Sequence, residues 1–398
     1  MDRQDQIEQE KEQFYSELIK KAADKKMIIY GAGMIAQEVI KEIKMRGGEI
    51  WAACVTRKEL NRKKVGGGVD VLQINEISSQ ICEDALFVVA MKAANQKAVH
   101  GILEERGIID YIDVPGNLCI TSVNSQRIFI PGMEITTRIG CSVNCRYCPQ
   151  DVLCRTYNAR HVENVLSLHN FKTCLDKMPE DTLILFSGFV EPFLNPECID
   201  MMEYSVQKGH RTLLNTTLVG VDMEVAKRLV KLPVEVLTLH TPDKDGYATI
   251  PMTKEYFEVL DFLLESRKND NTPFIDTANC QSTPHPEVVK FINNRISFGN
   301  LVMIDRAGNL SGSEVDERVC HTGKIICEKS AALNRNVLLP DGTVVLCCMD
   351  FGLQHELGNL LYDSYDDIMN GREMKDIKKN MADGGEVLCR KCSLAVPR

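Results

Sequence analysis

The pattern of apolar and polar residues along this chain predicts a parallel α/β protein that begins with a helix. Residues 4–25 are rich in Glu, Gln and Lys and place Ile7, Phe14, Leu18 and Ile19 at helical spacing. We expect this leading helix to be solvated or to pair with another subunit. After it, apolar runs of strand length alternate with helical patterns over most of the chain.

An apolar strand, a glycine turn and a helix open the region from 26 to 118. The turn contains Gly31 and Gly33 in a Gly-x-Gly-x-x-Ala arrangement, and a helical pattern then runs to Met45. Glycines let the backbone approach a phosphate, and the helix N-terminus supplies N–H donors. This is the pattern of a Rossmann-type phosphate site, and further strands at 49–55 and 85–90 continue the alternation.

The strand predicted at 49–55 is followed by Thr56-Arg57-Lys58, which contains no acidic residue. An NAD site usually holds the ribose diol with such an acid, so NAD(P) redox is the least favoured use. The region resembles the nucleotide-binding-like domains found beside sugar-modifying and polysaccharide-synthesis enzymes. That resemblance implies a bound nucleotide or nucleotide-sugar. A purely structural Rossmann-like domain is the other interpretation.

Six further strands, with helices between them, are indicated after a polar linker near residue 120. Repeated βα units of this kind place their strands parallel in one sheet, and ligands bind at the carboxyl ends of those strands. The predicted strands are 128–139, 183–187, 211–217, 234–240, 274–280 and 301–306, and the predicted helices are 164–178, 198–208, 223–230, 256–267 and 286–295.

The first of these six strands leads into a loop with three cysteines. Cys141, Cys145 and Cys148 have the spacing C-x3-C-x2-C. A [4Fe–4S] cluster has four irons and normally takes four thiolates. Three thiolates on one tight loop therefore leave one iron without a protein ligand, free to bind a substrate or cofactor.

The cysteine spacing, Tyr147 just before the third cysteine, and the strand that leads into the loop resemble the radical S-adenosylmethionine (SAM) enzymes. The resemblance covers the chain from about Ile128 onward. It implies a partial (β/α)6 barrel of the TIM type and a [4Fe–4S] cluster whose open iron chelates SAM. It further implies that an electron from the cluster cleaves SAM and releases a 5′-deoxyadenosyl radical.

The second strand of this region ends in Ser187 and Gly188, followed by Glu191, which resemble the family's Gly-Gly-Glu-Pro segment. That segment holds the amino group of SAM, and the resemblance transfers this role to Glu191. The match departs from the family where Ser-Gly replaces the paired glycines and where Phe189 and Val190 intervene. A helix-start acid, favoured by the helix dipole, is the alternative interpretation of Glu191.

Later strand ends supply further candidates. Asn215 and Thr217 lie where the family presents small polar residues to the ribose of SAM, although ordinary turn chemistry also explains them. His240 is a candidate proton carrier or hydrogen-bond donor, or else a buried structural histidine. Arg306 is a candidate for pairing with the SAM carboxylate or a substrate anion, or else an exposed turn residue.

Six cysteines follow residue 312, and their layout predicts a four-thiolate site. Cys327 precedes a predicted hairpin, 336–346, that returns the chain to Cys347, while Cys389 and Cys392 form a late C-x2-C knuckle. Taken alone, four thiolates suit zinc and iron–sulfur equally well. Cys348, next to Cys347, is the alternative fourth ligand.

This arrangement resembles the auxiliary-cluster extension of radical SAM enzymes called SPASM. The agreement lies in the spacing from Cys327 through Gly342 to Cys347, in residues 357–360, and in the late C-x2-C. The cysteines of a second auxiliary cluster are absent after that knuckle, so the extension resembles the shortened twitch version with one auxiliary [4Fe–4S] cluster. With the SAM-type loop upstream, zinc becomes the lesser alternative.

Composition and charge narrow the class of partners. Hydrophobic residues make up 44% and charged residues 26% of the chain, which is ordinary for a globular protein. The net charge of −9 argues against a nucleic-acid partner. No apolar run reaches the length of a membrane span, and the start of the chain lacks a signal-peptide pattern. Sixteen cysteines then indicate metal ligands or buried thiols in a cytoplasmic, low-oxygen setting.

These observations predict an α/β chain with four parts: a leading helix (1–25), a Rossmann-like domain (26–118), a radical SAM core (119–318) and a SPASM/twitch domain (319–398). The expected activity is hydrogen abstraction from a sugar, aminocyclitol or nucleotide-sugar, with the auxiliary cluster assisting oxidation or electron transfer. The alternatives are a maturase of a ribosomal peptide and a non-catalytic iron–sulfur or zinc protein. The resemblance also implies a reductant such as flavodoxin or ferredoxin.

Overall fold

The computed structural model divides the chain into two compact units, and each is described separately. It describes residues 3–32, 34–56, 64–65, 68–91, 93–115, 118, 131–268, 272–300, 304–310 and 319–397. The first unit comprises Met1–Ser125 and Val289–Gly299, and the second comprises Gln126–Val288 and Asn300–Arg398.

The first unit contains a six-stranded sheet in the order β3-β4-β2-β1-β5-β6. All neighbouring strands are parallel except β3 and β4, which are antiparallel. This is the sheet type predicted for a Rossmann-like domain. Its strands are β1 (Lys26–Tyr30), β2 (Ala52–Val55), β3 (Lys64–Val65), β4 (Val69–Gln73), β5 (Ala85–Val89) and β6 (Tyr111–Asp113).

Apolar side chains cover both faces of this sheet because successive residues of a strand point to opposite sides. Ile29 and Val88 belong to one core cluster, and Ile28 and Phe87 belong to the other. The helices of the unit are α1 (Arg3–Lys21), α2 (Met34–Met45), α3 (Ser79–Glu83) and α4 (Ala93–Glu105).

The leading helix was expected to be solvated or paired with another subunit, and the structure corrects this expectation. Tyr15 and Leu18 of α1 are 1% and 2% exposed and belong to the core cluster that also contains Ile29. The apolar spacing therefore marks a face that packs within the unit, while the charged residues lie on the other face.

In the second unit, five parallel strands follow one another in both chain and sheet order. They are β7 (Gly132–Ile135), β8 (Leu183–Phe186), β9 (Thr212–Thr216), β10 (Val236–His240) and β11 (Thr277–Cys280), and each pairs with the next in parallel. The helices between them are α5 (Gln150–Asn158), α6 (Leu168–Leu175), α7 (Cys198–Gln207), α8 (Met223–Leu229) and α9 (Lys254–Glu265). The predicted α/β class with parallel strands is confirmed, and this order is consistent with a partial barrel.

Local sequence explains where three of these helices begin. The side chains of Ser167, Asp222 and Thr253 accept hydrogen bonds from the backbone N–H groups of Asn170, Val225 and Tyr256, three residues on. Each such N-cap satisfies an N–H group that has no partner within its helix. The helix starts therefore follow directly from the residues at these positions.

The sixth predicted strand, 301–306, is misplaced. After α10 (Pro286–Ile292), the strand in this part of the chain is β12 (Ser297–Asn300). Residues 301–303 lie outside the described residues. Arg306 and Ala307 have φ values of +52° and +54°, so the chain turns here and cannot continue as a strand.

The C-terminal part of the second unit contains the predicted hairpin. Its strands are β14 (Arg335–Leu338) and β15 (Thr343–Val345), followed by β16 (Glu356–Asn359). β14 also pairs with β7 in parallel, so this part of the unit extends the same sheet. A separate two-stranded sheet joins β13 (Ile325–Cys327) to β17 (Ala395–Pro397).

Two helices follow β16 and are separated by a glycine. α11 (Tyr365–Met369) ends before Gly371, and α12 (Arg372–Asp383) follows it. A side chain at Gly371 would lie 3.0 Å from the carbonyl oxygen of Asp367, so the break relies on a residue without one. In the described part of the chain, no helix is both long and apolar enough to span a bilayer.

Gly342, in the hairpin turn, allows a test of close packing. It has φ of +87°, and an added Cβ would lie 2.6 Å from Leu361 Cγ. We expect Gly342→Ala to lower the free energy of unfolding by about 3 kcal/mol, from backbone strain and overpacking together.

Gly384 is the matched control because its φ is +85° and nothing lies within 4 Å of an added Cβ. Gly384→Ala should lower the free energy of unfolding by about 1 kcal/mol, from backbone strain alone. Urea unfolding of both variants measures the difference, and equal losses would contradict the packing argument.

Candidate functional site

The three-cysteine loop follows β7 and is held by backbone hydrogen bonds on two sides. Ile139 N donates to Asn164 O at 2.8 Å, and Thr249 N donates to Val143 O at 2.7 Å. Asn144, between the first two cysteines, has φ of +45°, a conformation that Asn tolerates better than most residues. The sequence therefore folds into a tight loop with a fixed position at the end of the strand.

The thiols of Cys141, Cys145 and Cys148 lie close enough to influence one another. Burial, together with a smaller effect of the neighbouring cysteines, raises the pKa of Cys145 to about 12 and that of Cys148 to about 11. Burial also raises the pKa of Cys141. The structure thus brings together the three predicted ligands as a half-buried set of thiols whose raised pKa values keep them neutral.

Gln150, at the start of α5, fixes the last cysteine of the loop. Its Nε2 donates to Cys148 Sγ at 3.2 Å and also to the carbonyl oxygen of Phe189. Tyr147 lies on the same side, where its hydroxyl is beside the thiol of Cys145 and the amide of Gln281. Tyr147 therefore connects the loop after β7 to Gln281, the residue that follows β11.

Gly188 lies at the end of β8, where two backbones approach closely. It has φ of +55°, and an added Cβ would lie 2.4 Å from Thr136 Oγ1. Thr136 Oγ1 also accepts a hydrogen bond from Phe189 N at 3.2 Å. Ser187 Oγ, one residue earlier, accepts from Asn215 Nδ2 at 3.5 Å. This predicted SAM-binding segment is therefore built against the strand that carries the cysteine loop.

Glu191 is buried, and its carboxylate is occupied by protein donors. Thr216 Oγ1 donates to Oε1 at 2.7 Å, while Thr217 donates to Oε2 through N at 2.6 Å and Oγ1 at 2.7 Å. Phe193 N also donates to Oε1, at 3.4 Å, so Glu191 caps the short helix Pro192–Leu194. Burial raises the pKa of Glu191, and these hydrogen bonds oppose the shift.

These contacts agree with the helix-start interpretation of Glu191. The role of Glu191 in holding the SAM amino group stays a prediction. Thr217, predicted to face the ribose, uses its side chain to bind Glu191. The backbone of Glu191 lies against the thiol of Cys141, so the segment contacts the cysteine loop directly.

His240 and Arg306 lie close to each other, as their interaction shows. Burial, together with a smaller effect of the charge on Arg306, lowers the pKa of His240 to about 4, while the side chain of Asn279 opposes the shift. Arg306 also lowers the pKa of Cys148, so it lies near the cysteine loop. Arg306 is half-buried in a turn, with its guanidinium carbon 6.0 Å from the ring centre of Phe351. The turn interpretation of its backbone is correct, but its side chain is not an exposed one.

Asn279 and Gln281 belong to the same region, and sequence analysis missed them. Asn279 is the register partner of His240 in the adjacent strand, and Gln281 follows two residues later. Register partners in neighbouring strands share one face of the sheet, so Asn279 lies on the same face as His240. The signal was present as polar residues at alternate positions, at the end of a strand whose intervening residues are apolar.

The C-terminal cysteines line one cavity of about 510 Å³, a volume that includes space open to solvent. All four predicted ligands are there, together with the alternative: Cys327, Cys347, Cys389, Cys392 and Cys348. Burial raises the pKa of Cys389 to about 12 and that of Cys392 to about 11. Five thiols thus surround one cavity, one more than a four-iron cluster needs.

Lys329 is placed between this cavity and the first strand of the sheet. Its Nζ donates to Cys348 Sγ at 3.0 Å and to Glu134 Oε1, in β7, at 2.6 Å. Burial disfavours the charge, but Cys348 and Glu134 outweigh it and raise the pKa of Lys329. A cation is therefore held beside the thiols, with its own counter-ion in the sheet.

The predicted phosphate site in the first unit is only partly described. Gly31 has φ of +133°, and an added Cβ would lie 2.9 Å from the carbonyl oxygen of Ala90. Gly33 lies outside the described residues. Binding of a nucleotide or nucleotide-sugar there stays a prediction.

Comparison with known families confirms the predicted C-terminal domain. Residues 327–393 match the family model of SPASM, an iron-sulfur cluster-binding domain. No curated protein matches the chain. Within the described residues, no three His, Cys, Asp or Glu side chains form a ready-made site for a single metal ion.

Several solved structures share features of the fold. BtrN in complex with AdoMet and 2-DOIA is 14% identical, with TM-score 0.44, and the match covers 68% of this chain and 94% of BtrN. anSMEcpe with bound AdoMet and Cp18Cys peptide is 12% identical, with TM-score 0.41, and the match covers 66% of this chain and 86% of anSMEcpe. Streptococcus suis SuiB bound to S-adenosylmethionine is 13% identical, with TM-score 0.37, and the match covers 76% of this chain and 82% of SuiB. At these scores the similarities carry no argument about this chain.

Glu191→Gln tests the carboxylate network. Either orientation of the new amide places its NH₂ group against a backbone N–H, that of Phe193 or of Thr217. We expect the free energy of unfolding to fall by about 2 kcal/mol, because buried donors lose their acceptor.

Glu203→Gln is the control for Glu191→Gln. Glu203 pairs with Arg228 at the surface, where its side chain is 42% exposed. This control should cost about 0.5 kcal/mol. Urea unfolding compares the two variants, and a similar small loss in both would show that the network contributes little.

Cys347→Ser and Cys348→Ser form a matched pair for the auxiliary site. The spacing after Gly342 favours Cys347 as the ligand, so Cys347→Ser should lose about four irons per chain on anaerobic reconstitution. Cys348→Ser should retain them, because Cys348 is then the fifth thiol. Iron and sulfide counting measures both, and the reverse result would assign the ligand to Cys348.

Proposed function

We propose that this chain is a radical SAM enzyme that abstracts hydrogen from a sugar, aminocyclitol or nucleotide-sugar-type substrate. An auxiliary [4Fe–4S] cluster in the SPASM domain would assist oxidation or electron transfer. The observation that carries the proposal is the convergence of the half-buried Cys141, Cys145 and Cys148 in the loop that follows β7. A second set of thiols lies in the same unit of the fold.

The donor set at the three-cysteine loop fits an iron–sulfur cluster with one open iron. The loop supplies three thiols, and burial keeps them protonated in the absence of metal. Protonated thiols are weak nucleophiles, so these cysteines are poorly suited to nucleophilic attack. They would lose their protons when iron binds, because the thiolate is the metal ligand. Cys141, Cys145 and Cys148 would hold the cluster.

The C-terminal donor set fits a fully ligated cluster. Cys327, Cys347, Cys389 and Cys392 line one cavity and would complete four ligands, with no iron left open. A closed site of this kind suits electron transfer better than substrate binding. Lys329 would stabilise added negative charge there, since it lies beside the cavity as an ammonium group.

When bound, the cluster and SAM would supply a 5′-deoxyadenosyl radical, which takes hydrogen from unactivated carbon. The protein itself would position the reacting groups and exclude water from them. Gln150 orients the thiol of Cys148, and Glu191 fixes the end of β9 against the second strand. His240, neutral at neutral pH because of its low pKa, is the candidate that can accept a proton at its ring nitrogen.

The substrate class is supported by the polar character of the strand ends. Asn215 and His240 are themselves half-buried, and Asn279 faces His240 across the β10–β11 register. Such a lining suits a small ligand with many hydrogen-bonding groups. A reductant such as flavodoxin or ferredoxin is part of the proposal, because the cluster must receive an electron.

Anaerobic reconstitution followed by reduction with SAM tests this function. The wild-type protein should bind about eight irons per chain and form 5′-deoxyadenosine. Cys141→Ala should abolish 5′-deoxyadenosine and keep about four irons, because the auxiliary site remains.

Cys154→Ala is the control for Cys141→Ala, since Cys154 lies near the loop in α5 but outside the C-x3-C-x2-C spacing. It should retain both the irons and the turnover. Bound zinc in place of iron, or no 5′-deoxyadenosine from fully loaded protein, would contradict the proposal and favour a non-catalytic metal protein.

A further inference from the structure

Four buried polar atoms at the strand ends have no hydrogen-bond partner. They are His240 Nδ1, Asn279 Oδ1, Gln281 Oε1 and Arg306 Nε. Buried polar groups in folded proteins are nearly always paired, so each unpaired one calls for an explanation. Four of them in one region indicate a place where a ligand completes the hydrogen bonding.

These four residues converge on one place by several independent relations. Asn279 faces His240 across the β10–β11 register, and Arg306 is near enough for its charge to lower the pKa of His240. Gln281 follows Asn279 by two residues and lies beside the Tyr147 hydroxyl. Arg306 also acts on Cys148, so the group borders the cysteine loop.

The protein holds these side chains in place without satisfying them. The backbone carbonyl of Asn279 accepts from Thr241 N at 2.8 Å, which fixes the end of β11 against the residue after β10. Tyr147 limits the motion of the Gln281 amide. Arg306 has a left-handed backbone conformation, and Asn309 Nδ2 donates to its carbonyl oxygen at 2.8 Å. The polar atoms are thus preorganised towards a missing partner.

The chemistry of the four atoms selects one class of ligand. The two amide oxygens accept hydrogen bonds, the His240 nitrogen can accept one in the neutral ring, and Arg306 Nε donates one. A hydroxyl group is both donor and acceptor, so adjacent hydroxyls can satisfy all four atoms. A phosphate or carboxylate can satisfy Arg306 alone, and an ammonium group would be repelled by it.

We propose that His240, Asn279, Gln281 and Arg306 form a subsite for the hydroxyl groups of a neutral polyol ring. This inference rests on the proposed function and deepens it, because it names the residues and the part of the substrate that they recognise. A charged amine or a nucleotide diphosphate of the same substrate must then lie outside this subsite.

The test measures binding without turnover, in anaerobic holoenzyme saturated with SAM and not reduced. Titration calorimetry uses myo-inositol and UDP-glucose as probes, with a short unmodified peptide as the contrasting ligand. Asn279→Leu and Gln281→Leu each remove one amide oxygen and keep a side chain of similar size. Each should weaken binding of the polyol or hexose about tenfold, the effect of one lost hydrogen bond to a ligand.

Thr277→Val is the matched control because Thr277 lies on the same face of β11, two residues before Asn279 and farther from the end of the strand. It should leave polyol affinity within about twofold, since it is outside the subsite. Thermal unfolding of each variant checks that the fold is retained, and SAM affinity is measured in parallel.

Three results would overturn the subsite. If the variants weaken SAM instead of the polyol, the unpaired atoms serve the ribose of SAM. If only the peptide binds, they serve backbone amides. If no probe binds the wild-type protein, water alone occupies them. Each result is distinct from failure of the proposed function, which appears as missing 5′-deoxyadenosine in a separate assay of the same protein.

Discussion

Parallel backbone pairing of β7 on both sides is the constraint on which the second unit depends. β8 pairs with one edge of β7 and β14 with the other. The first neighbour leads to Ser187 and Gly188, and the second belongs to the hairpin that ends at Cys347. Because β7 itself leads to the cysteine loop, one strand helps to place that loop and Cys347 of the second set of thiols. Side chains then refine positions that the sheet has already set.

Buried polar groups in this unit follow a consistent rule: they are tied to the backbone of a neighbouring strand or to a charge of opposite sign. Glu191 receives donors from the end of β9, and Lys329 is shared between Glu134 and Cys348. Such groups are costly if one partner is removed. Unpaired buried atoms also occur singly, as at Thr182 Oγ1 and Asn336 Oδ1, but four of them are gathered around His240 and Asn279.

Sequence analysis predicted the elements whose signals are local. The C-x3-C-x2-C loop, the hairpin turn at Gly342 and the strands up to β11 depend on spacing and periodicity, and these features are present in the sequence itself. It misplaced the strand near Arg306 because a short apolar run does not reveal where the backbone turns. It also missed that Tyr15 and Leu18 are buried, since a polar helix with a narrow apolar face looks the same whether or not that face is covered.

The site was harder to predict because its contacts join distant parts of the chain. Nothing in the sequence indicates that Thr216 and Thr217 occupy the carboxylate of Glu191, or that Gln281 meets Tyr147. The continuous sheet from β11 to β16 has a mechanical consequence. Strands about 4.8 Å apart, joined by backbone hydrogen bonds, leave no hinge between the cysteine loop that follows β7 and Cys347, which follows β15. The sheet therefore sets the spacing between the loop and Cys347, whereas Cys327, Cys389 and Cys392 reach the same cavity from segments outside this sheet.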